Sequence, residues 1–460
     1  MTERPTGLTV RMYQVGFGDC FLLTFHYPKI GDRHVLIDFG STKMPAKAAP
    51  KEGLLSIAKA IKEVCKSEAY PDGKLTAVVA THRHADHISG FATKARGKGS
   101  GDIIAAMQPE VVIQPWTEDP EAETDAEEST RASTRGLSKR AFVSSLRGMN
   151  QFAEAAVKEV ARRTVGLNGK KPRSNSLLAN LAFIGEINIA NPSAVKNLME
   201  MGRAGAAEYL AYGDKTRLAR LLPGVKVHVL GPPTLKQTKA ILKERARDPD
   251  EFWHLLASSA IPAAKAPSGA TKPIFPRRVV PKDERPPYTR WLIPQLDKLP
   301  AEQMLELVRI LDKAMNNTSV ILLFEIGDRA FLFPGDAQVE NWLYALKHAK
   351  DREKKLAILR RVELYKVGHH GSLNATPKSL WALFFEDKSR SSSGKERLKT
   401  LVSTLAGKHG QKDRGTEVPR EKLIEELEKK SEFFSTDSEP MAAIMKEKDS
   451  PLCVERSFTF

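Results

Sequence analysis

Ala80-Thr81-His82-Arg83-His84-Ala85-Asp86-His87 puts three histidines and an aspartate within six residues. The run before it, Leu75 to Ala80, is apolar and rich in β-formers, so it reads as a buried strand that ends at Thr81. His82 and His84, two apart at a strand's end, point the same way. A helix beginning near Asp86 turns the chain so that Asp86 and His87 reach a neighbouring position. Neutral imidazoles with a carboxylate are the donors that borderline divalent metals take. The competing reading is a polar loop with chance histidines, but packing gives no reason for such a density.

One motif supplies only part of a metal's coordination sphere, so further donors are expected at distant strand ends. Phe331-Leu332-Phe333-Pro334-Gly335-Asp336 places an aspartate just after an apolar strand, where its anion is costly without a cation nearby. Taken alone, Asp336 reads as a helix N-cap; beside the histidine cluster it reads as the carboxylate bridging two metals. Val367-Gly368-His369-His370-Gly371-Ser372 also follows an apolar strand, with glycines that let the backbone approach an ion or phosphate. His369 is the last expected ligand there, against a hydrogen-bonded loop histidine. Asp38 ends Val35-Leu36-Ile37 in the same manner, either as a turn aspartate or as a carboxylate orienting a ligand or a water.

Working outward, Val10 to Val15, Cys20 to Phe25 and His34 to Asp38 read as consecutive strands, and Leu54 to Val64 as an amphipathic helix. Residues 1–114 form the first half of a core on this reading. Residues 115–222 form a mostly helical insertion, with an acidic loop from Glu118 to Glu128, a basic segment (Arg131, Arg135, Lys139, Arg140) and a helix over Ala141 to Arg163. The chain returns to the core over 223–247, with a strand from Val225 to Leu230. Residues 248–300 form a Pro-rich insertion, where Pro262, Pro267, Pro273, Pro276 and others exclude regular helix or central strand. Residues 301–460 supply the second half and a C-terminal extension. They hold a hairpin (Ser319 to Phe324, Ala330 to Phe333), strands at Leu364 to Val367 and Thr400 to Ser403, and helices at Val339 to Lys347, Pro377 to Phe385 and Glu421 to Lys429. Two β halves with outer helices imply an α/β fold, a four-layer αββα sandwich carrying helical and Pro-rich insertions.

The 460 residues carry 72 Lys plus Arg against 56 Asp plus Glu, a formal charge of +16. A phosphate-bearing partner or a merely solvated basic surface accounts for it. The three cysteines, Cys20, Cys65 and Cys453, are scattered, which argues against a disulfide framework and a thiolate zinc site. No stretch approaches the roughly 18 apolar residues of a membrane span, and the N-terminus has no apolar signal core. A cytoplasmic protein without membrane contact is expected.

Together these residues resemble the metallo-β-lactamase superfamily. His82-Arg83-His84-Ala85-Asp86-His87 matches its HxHxDH signature, Asp38 its first aspartate, Asp336 its bridging aspartate and His369 its final histidine. Within that superfamily the surroundings are most similar to the nuclease domain of ComEC-like DNA-uptake proteins, through Val15-Gly16-Phe17-Gly18-Asp19-Cys20, Asn316-Asn317-Thr318-Ser319-Val320, Pro334-Gly335-Asp336-Ala337 and Val367-Gly368-His369-His370-Gly371-Ser372. The resemblance spans about 8–100 and 225–435. It implies two divalent ions, zinc or manganese, held by His82, His84, Asp86, His87, Asp336 and His369. Asp38, Asp86 and His370 are then the expected catalytic side chains, His370 donating to phosphate or to the leaving group. Asn316, Asn317 and Ser372 are the expected substrate contacts.

One departure stands out. Most of these hydrolases use another histidine between the second motif and the bridging aspartate, where this chain has only His228 and His254. His228 falls mid-strand and His254 in a helix, so one metal position is expected to lack a protein ligand or to be weakly occupied. His409 reads as a basic loop residue. The expected activity is hydrolysis of phosphodiesters in nucleic acid or a nucleotide. Hydrolysis of a carbonyl ester, thioester or lactam on the same fold is one alternative. The other is a non-catalytic protein whose insertions bind a protein partner.

Overall fold

The computed structural model of the chain describes residues 3–46, 49–119, 192–242, 315–386, 397–408, 410, 417–447 and 450–460. The acidic and basic runs beyond Asp119, the helix expected over Ala141 to Arg163, the Pro-rich 248–300 segment, His254 and His409 lie outside the described residues.

Thirteen described strands form two sheets. The first comprises β1 (Gly7–Tyr13), β2 (Cys20–His26), β3 (Arg33–Phe39), β4 (Ala77–Val79), β5 (Val111–Pro115), β6 (Ala207–Leu210) and β13 (Cys453–Thr459), in the order β13-β1-β2-β3-β4-β5-β6. The second comprises β7 (Lys226–Gly231), β8 (Ile321–Ile326), β9 (Arg329–Phe333), β10 (Val362–Lys366), β11 (Lys399–Val402) and β12 (Glu432–Ser435), in the order β12-β11-β10-β9-β8-β7. Each half repeats one plan. Three antiparallel strands (β1 to β3, β7 to β9) are followed by three parallel ones (β4 to β6, β10 to β12).

The central strands are apolar on both faces because both faces are covered. Phe21, Leu23, Val35, Ile37, Val79 and Ile113 meet Leu322, Phe324, Phe331, Phe333 and Leu364 between the sheets. The intervening residues Leu22, Leu36, Val78 and Val112 face outward, onto the helices Leu54–Val64, Ser100–Ala106 and Pro192–Ala204. On the far side Ile321, Leu323, Leu332 and Tyr365 meet helices that include Lys378–Leu383 and Glu421–Lys430. Three apolar layers separate four layers of structure, the αββα sandwich.

Three placements depart from the sequence reading. Residues 192–222 were expected within an insertion, yet helix Pro192–Ala204 covers the first sheet and β6 pairs with β5. Charged Glu208 and short length hide β6 from a hydrophobic pattern. β13 crosses back from the second half to pair with β1 along its length. The helix expected over Val339 to Lys347 is α only to Leu343 and then widens to a π turn over Tyr344–His348. The three cysteines are buried free thiols. Among the described residues no helix is long and apolar enough to cross a membrane.

Candidate metal centre

The repeated plan brings equivalent strand ends together. Asp38 is the penultimate residue of β3 and Asp336 lies just beyond β9; the 82–87 cluster follows β4 and His369-His370 follows β10. These are the carboxyl ends of parallel strands, where α/β folds collect ligands. Close backbone packing holds them in place. A Cβ on Gly40 would lie 2.5 Å from the carbonyl carbon of Asp86 and the amide of His87, so only glycine lets β3 approach the short helix Ala85–Ile88. Asp38, His369 and His370 have φ of 55°, 44° and 53°, left-handed values that L side chains rarely adopt.

Hydrogen bonds fix how the imidazoles face. His87 Nδ1 donates to Asp38 Oδ2 at 2.8 Å, and His370 Nδ1 donates to the Ser403 carbonyl at 2.8 Å. His82 Nδ1 lies 3.2 Å from Thr81 Oγ1, whose own proton goes to Asp38 Oδ2 at 2.7 Å. His369 Nδ1 lies 2.9 Å from Ser372 Oγ, which donates onward to Asn374. With its Nδ1 proton so placed, each ring turns an Nε2 lone pair inward. Those four Nε2 atoms lie 3.0 Å (His87), 3.7 Å (His370), 3.8 Å (His369) and 4.0 Å (His82) from one atom, Asp336 Oδ2. His370 Nε2 also faces Asp86 Oδ2 at 3.2 Å, and His84 Nδ1 lies 2.9 Å from His82 Nε2. Acceptors that close repel unless a proton or a cation lies between them.

The charge balance points the same way. Asp19, Asp38, Asp86 and Asp336 are buried, and Lys366 is a buried cation among them. Its ammonium pairs with Asp19, lies 3.5 Å from Asp336 Oδ1 and donates to the Gly335 carbonyl at 3.0 Å. Four carboxylates less one ammonium leave a formal −3 in a dry interior, too costly without further positive charge. Burial alone lifts a carboxyl, and it does raise Asp38 against the opposing pull of His87. For Asp336, burial is outweighed by His87, His370, His369 and Lys366, which hold it far below the usual carboxylate range. For Asp86, burial is likewise outweighed, chiefly by its His370 hydrogen bond. Burial disfavours imidazolium at His87 and His370, but Asp336 acting with Asp38 on the first, and with Asp86 on the second, raises both. His82 and His369 are lowered, by burial first. Without a metal the pocket therefore recruits protons onto His87 and His370. Divalent ions meet the same demand, and the inward lone pairs, the carboxylates and a partnerless Asp86 Oδ1 fit them. Asp86, His87, Asp336 and His370 offer four donor atoms all within 4.8 Å of one another.

The expected residues His82, His84, Asp86, His87, Asp336, His369, His370 and Asp38 are thus brought into one pocket. The histidine pair is arranged differently from the expectation: His370 is the fully buried partner of Asp86, while the His369 side chain is 27% exposed at the rim. Ser372 holds the His369 ring. Asn316 and Asn317 are buried, and Asn317 Oδ1 accepts from Asn341 at 3.0 Å. His228 is engaged elsewhere: Lys355 donates to its Nδ1 at 3.0 Å, and its Nε2 donates to Glu325 at 2.8 Å. Asp19, Lys366 and Ser403 were not foreseen as site residues. A lysine in the apolar strand Leu364-Tyr365-Lys366-Val367 was the available signal, since a cation there needs a buried anion.

Residues 13–106 match the family model described as "Metallo-beta-lactamase superfamily". The matched span holds Asp19, Asp38 and the whole 82–87 cluster, so over these residues the chain is similar to the metallo-β-lactamase superfamily, within the sandwich described above. That superfamily consists mostly of metal-dependent hydrolases, with non-catalytic members among them. No curated protein matches the chain.

Proposed function

We propose that the protein is a metal-dependent phosphodiesterase acting on nucleic acid or a nucleotide. The convergence of four imidazole Nε2 atoms on Asp336 Oδ2 carries the hydrolase part of this reading. The net charge of +16 and the ComEC-like segments favour phosphodiesters over uncharged acyl substrates. His82, His84, Asp86, His87, Asp336 and the His369-His370 pair would hold the ions. Bound there, zinc or manganese would supply an activated water and polarise the scissile ester. Asp38 keeps the His87 ring turned inward through its 2.8 Å hydrogen bond. Asp86 and Asp336, being held ionised, stay available as anionic donors. His369, at the rim, is the one histidine of the cluster that meets solvent, and Ser372 fixes its ring. Asn316 and Asn317 are assigned to substrate through their sequence context.

Purified full-length protein, loaded with manganese or zinc, would be assayed on single- and double-stranded DNA, RNA and a chromogenic phosphodiester. Carbonyl ester, thioester and lactam substrates would be run alongside. Phosphodiester cleavage abolished in His84→Ala and Asp336→Ala is expected. Turnover of acyl substrates alone would overturn the substrate class, and a metal-loaded protein inert on every substrate would favour the partner-binding alternative.

A further inference from the structure

We infer that two loops of the first half, one carrying Lys43 and the other Lys94, Arg96 and Lys98, hold the phosphate backbone of a nucleic-acid strand beside the metal pocket, so that the substrate is a polymer and not a free nucleotide. The inference rests on the phosphodiesterase reading above and narrows its substrate. Lys94-Ala95-Arg96-Gly97-Lys98-Gly99 puts three cations within five residues and no acid among them. All of 93–98 is exposed. Like charges this close repel one another, so the fold gains nothing from them by themselves. Nor are they neutralised: among the described residues the side chains of Lys43, Lys94, Arg96 and Lys98 form no ion pair. Cations on and just beyond the neighbouring helix Leu54–Val64 behave otherwise, Lys59 pairing with Glu52 at 2.5 Å, Lys62 with Asp72 at 2.9 Å and Lys66 with Glu63 at 2.7 Å. Arg83, between His82 and His84, is likewise taken by Glu118.

Backbone bonds fix the second loop and leave its charges free. Asp102 Oδ2 accepts from the amides of Lys94 and Gly99 at 2.9 and 2.7 Å, and the Gly97 amide donates to the Lys94 carbonyl at 3.1 Å. The fold then sets where the loop stands. The chain leaves the 82–87 cluster through the turn Ser89–Phe91, and the Phe91 ring meets Phe39, the residue after Asp38, at 5.8 Å. Helix Ser100–Ala106 runs back toward the start of β5, which is parallel to β4, so 93–99 lies at the ligand-bearing end of the sheet, in its outer layer. The Lys43 loop adjoins it: the Ser41 amide donates to Ser89 Oγ at 2.9 Å. The same loop backs onto the pocket, because the Phe17 amide donates to the Lys43 carbonyl at 2.8 Å while the Phe17 ring packs on His370 at 4.3 Å. Across the pocket, the loops 334–338 and 368–376 that bear Asp336 and the His369-His370 pair contain no lysine or arginine. Positive charge thus gathers on one flank. A scissile phosphate at the ligand cluster lies one layer of structure away from these cations, so a lone nucleotide leaves them unused. The following phosphates of a strand reach them, and such contacts position a backbone without reading its sequence.

The salt dependence of binding tests this without relying on turnover. Manganese-loaded full-length protein would be titrated with a fluorescently labelled, phosphorothioate-linked single strand that resists cleavage, and anisotropy read from about 50 to about 200 mM salt. Each single-strand phosphate contact that is lost flattens the slope of log affinity against log salt by about 0.7. Lys94→Gln/Arg96→Gln/Lys98→Gln should therefore flatten it by about 2, with wild-type affinity falling roughly 15–20-fold more than the variant's over that range. Adding Lys43→Gln should flatten it by about 0.7 again. Lys29→Gln/Lys66→Gln/Lys74→Gln removes the same charge at the opposite end of the strands and should keep the wild-type slope. Circular dichroism reports the fold, and the single changes Lys94→Gln and Lys98→Gln, each expected to flatten the slope by about 0.7, serve if the triple variant unfolds. An unchanged slope in the triple variant, an equal loss in the Lys29/Lys66/Lys74 variant, or lost binding to phosphatidylserine vesicles with strand binding intact would overturn the inference. Wild-type turnover of the chromogenic phosphodiester judges the underlying reading separately. A protein that cleaves it yet binds no strand overturns the inference alone, and one that cleaves no phosphodiester overturns the phosphodiesterase reading.

Discussion

Asp38→Asn should disable the pocket while keeping its shape. Asp38 accepts three hydrogen bonds: Thr81 N–H to Oδ1 at 2.7 Å, and Thr81 Oγ1–H and His87 Nδ1–H to Oδ2 at 2.7 and 2.8 Å. An asparagine that keeps the first turns an amide NH2 toward two donors, and one that is flipped turns it toward the Thr81 amide. Two hydrogen bonds to a charged acceptor contribute about 1.5–3 kcal/mol each. Burial already penalises this carboxylate, raising its pKa against His87, so the neutral replacement recovers part of the loss. The expected net destabilisation is at the lower end, about 3 kcal/mol. His87 also loses the partner that fixes its proton on Nδ1. Its Nε2 lone pair is no longer assured, and metal affinity should fall about 10–100-fold. Urea unfolding in the presence of chelator reads the first number, and competition against a chromogenic chelator reads the second. Equal unfolding midpoints together with equal metal affinity would refute the claim that Asp38 orients His87.

The charges around the pocket set three further outcomes. His87 and His370 have raised pKa values in the metal-free protein, so they hold their protons to higher pH than ordinary imidazoles and a metal must displace those protons; metal titration in buffers of different ionisation enthalpy should show proton release, with affinity climbing as pH rises toward those raised values. The same shift has a stability sign: the raised imidazoles stabilise the metal-free fold fully below the ordinary imidazole value near 6.5, and that contribution disappears as pH climbs through the folded values. Unfolding midpoints of chelated protein should therefore drop on the alkaline side while those of loaded protein do not, and parallel profiles would contradict the charge assignment. Lys366→Met strands the buried Asp19 carboxylate and should cost about 3–5 kcal/mol. Adding Asp19→Asn should restore part of it; a double variant no more stable than the single, by urea unfolding, would show that the pair does not act as a unit.

Much of the fold was legible because its signals are local. Strands β2, β3, β8 and β9 announced themselves as short apolar runs between turn residues, and the Leu54–Val64 helix by the spacing of Ile57, Ala58 and Ile61. What escaped was pairing. β6 is four residues long and carries Glu208, so nothing in its composition distinguishes a sheet strand from an insertion; only its register against β5 does. β13 reads Cys-Val-Glu-Arg-Ser-Phe-Thr, as polar as an edge strand allows, and its place beside β1 depends on a partner some 440 residues earlier in the chain.

The site divides along the same line. The 82–87 cluster is dense enough to be read alone, and the family match ends at residue 106, having covered only that half. The remaining donors sit singly at strand ends, where an aspartate after an apolar run is as good a cap as a ligand until the histidines are known. The order within His369-His370 was not readable in principle, because sequence gives adjacency and not the hand of the backbone. Two left-handed residues in a tight turn set neighbouring rings 6.0 Å apart with planes 60° askew, one partly exposed and one fully buried. The omission of Lys366 differs, because a lysine within an apolar strand signals that a buried anion is needed, though not which one. β10 is buried on both faces and leaves its ammonium no solvent to reach. It had to find carboxylates, and Asp19, from the loop ahead of β2, is positioned to meet it by the backbone bond from Asp19 N to the Asp86 carbonyl at 2.9 Å. The pocket's electrostatics are therefore set jointly by a loop of the first half and a strand of the second, and neither segment alone reveals them.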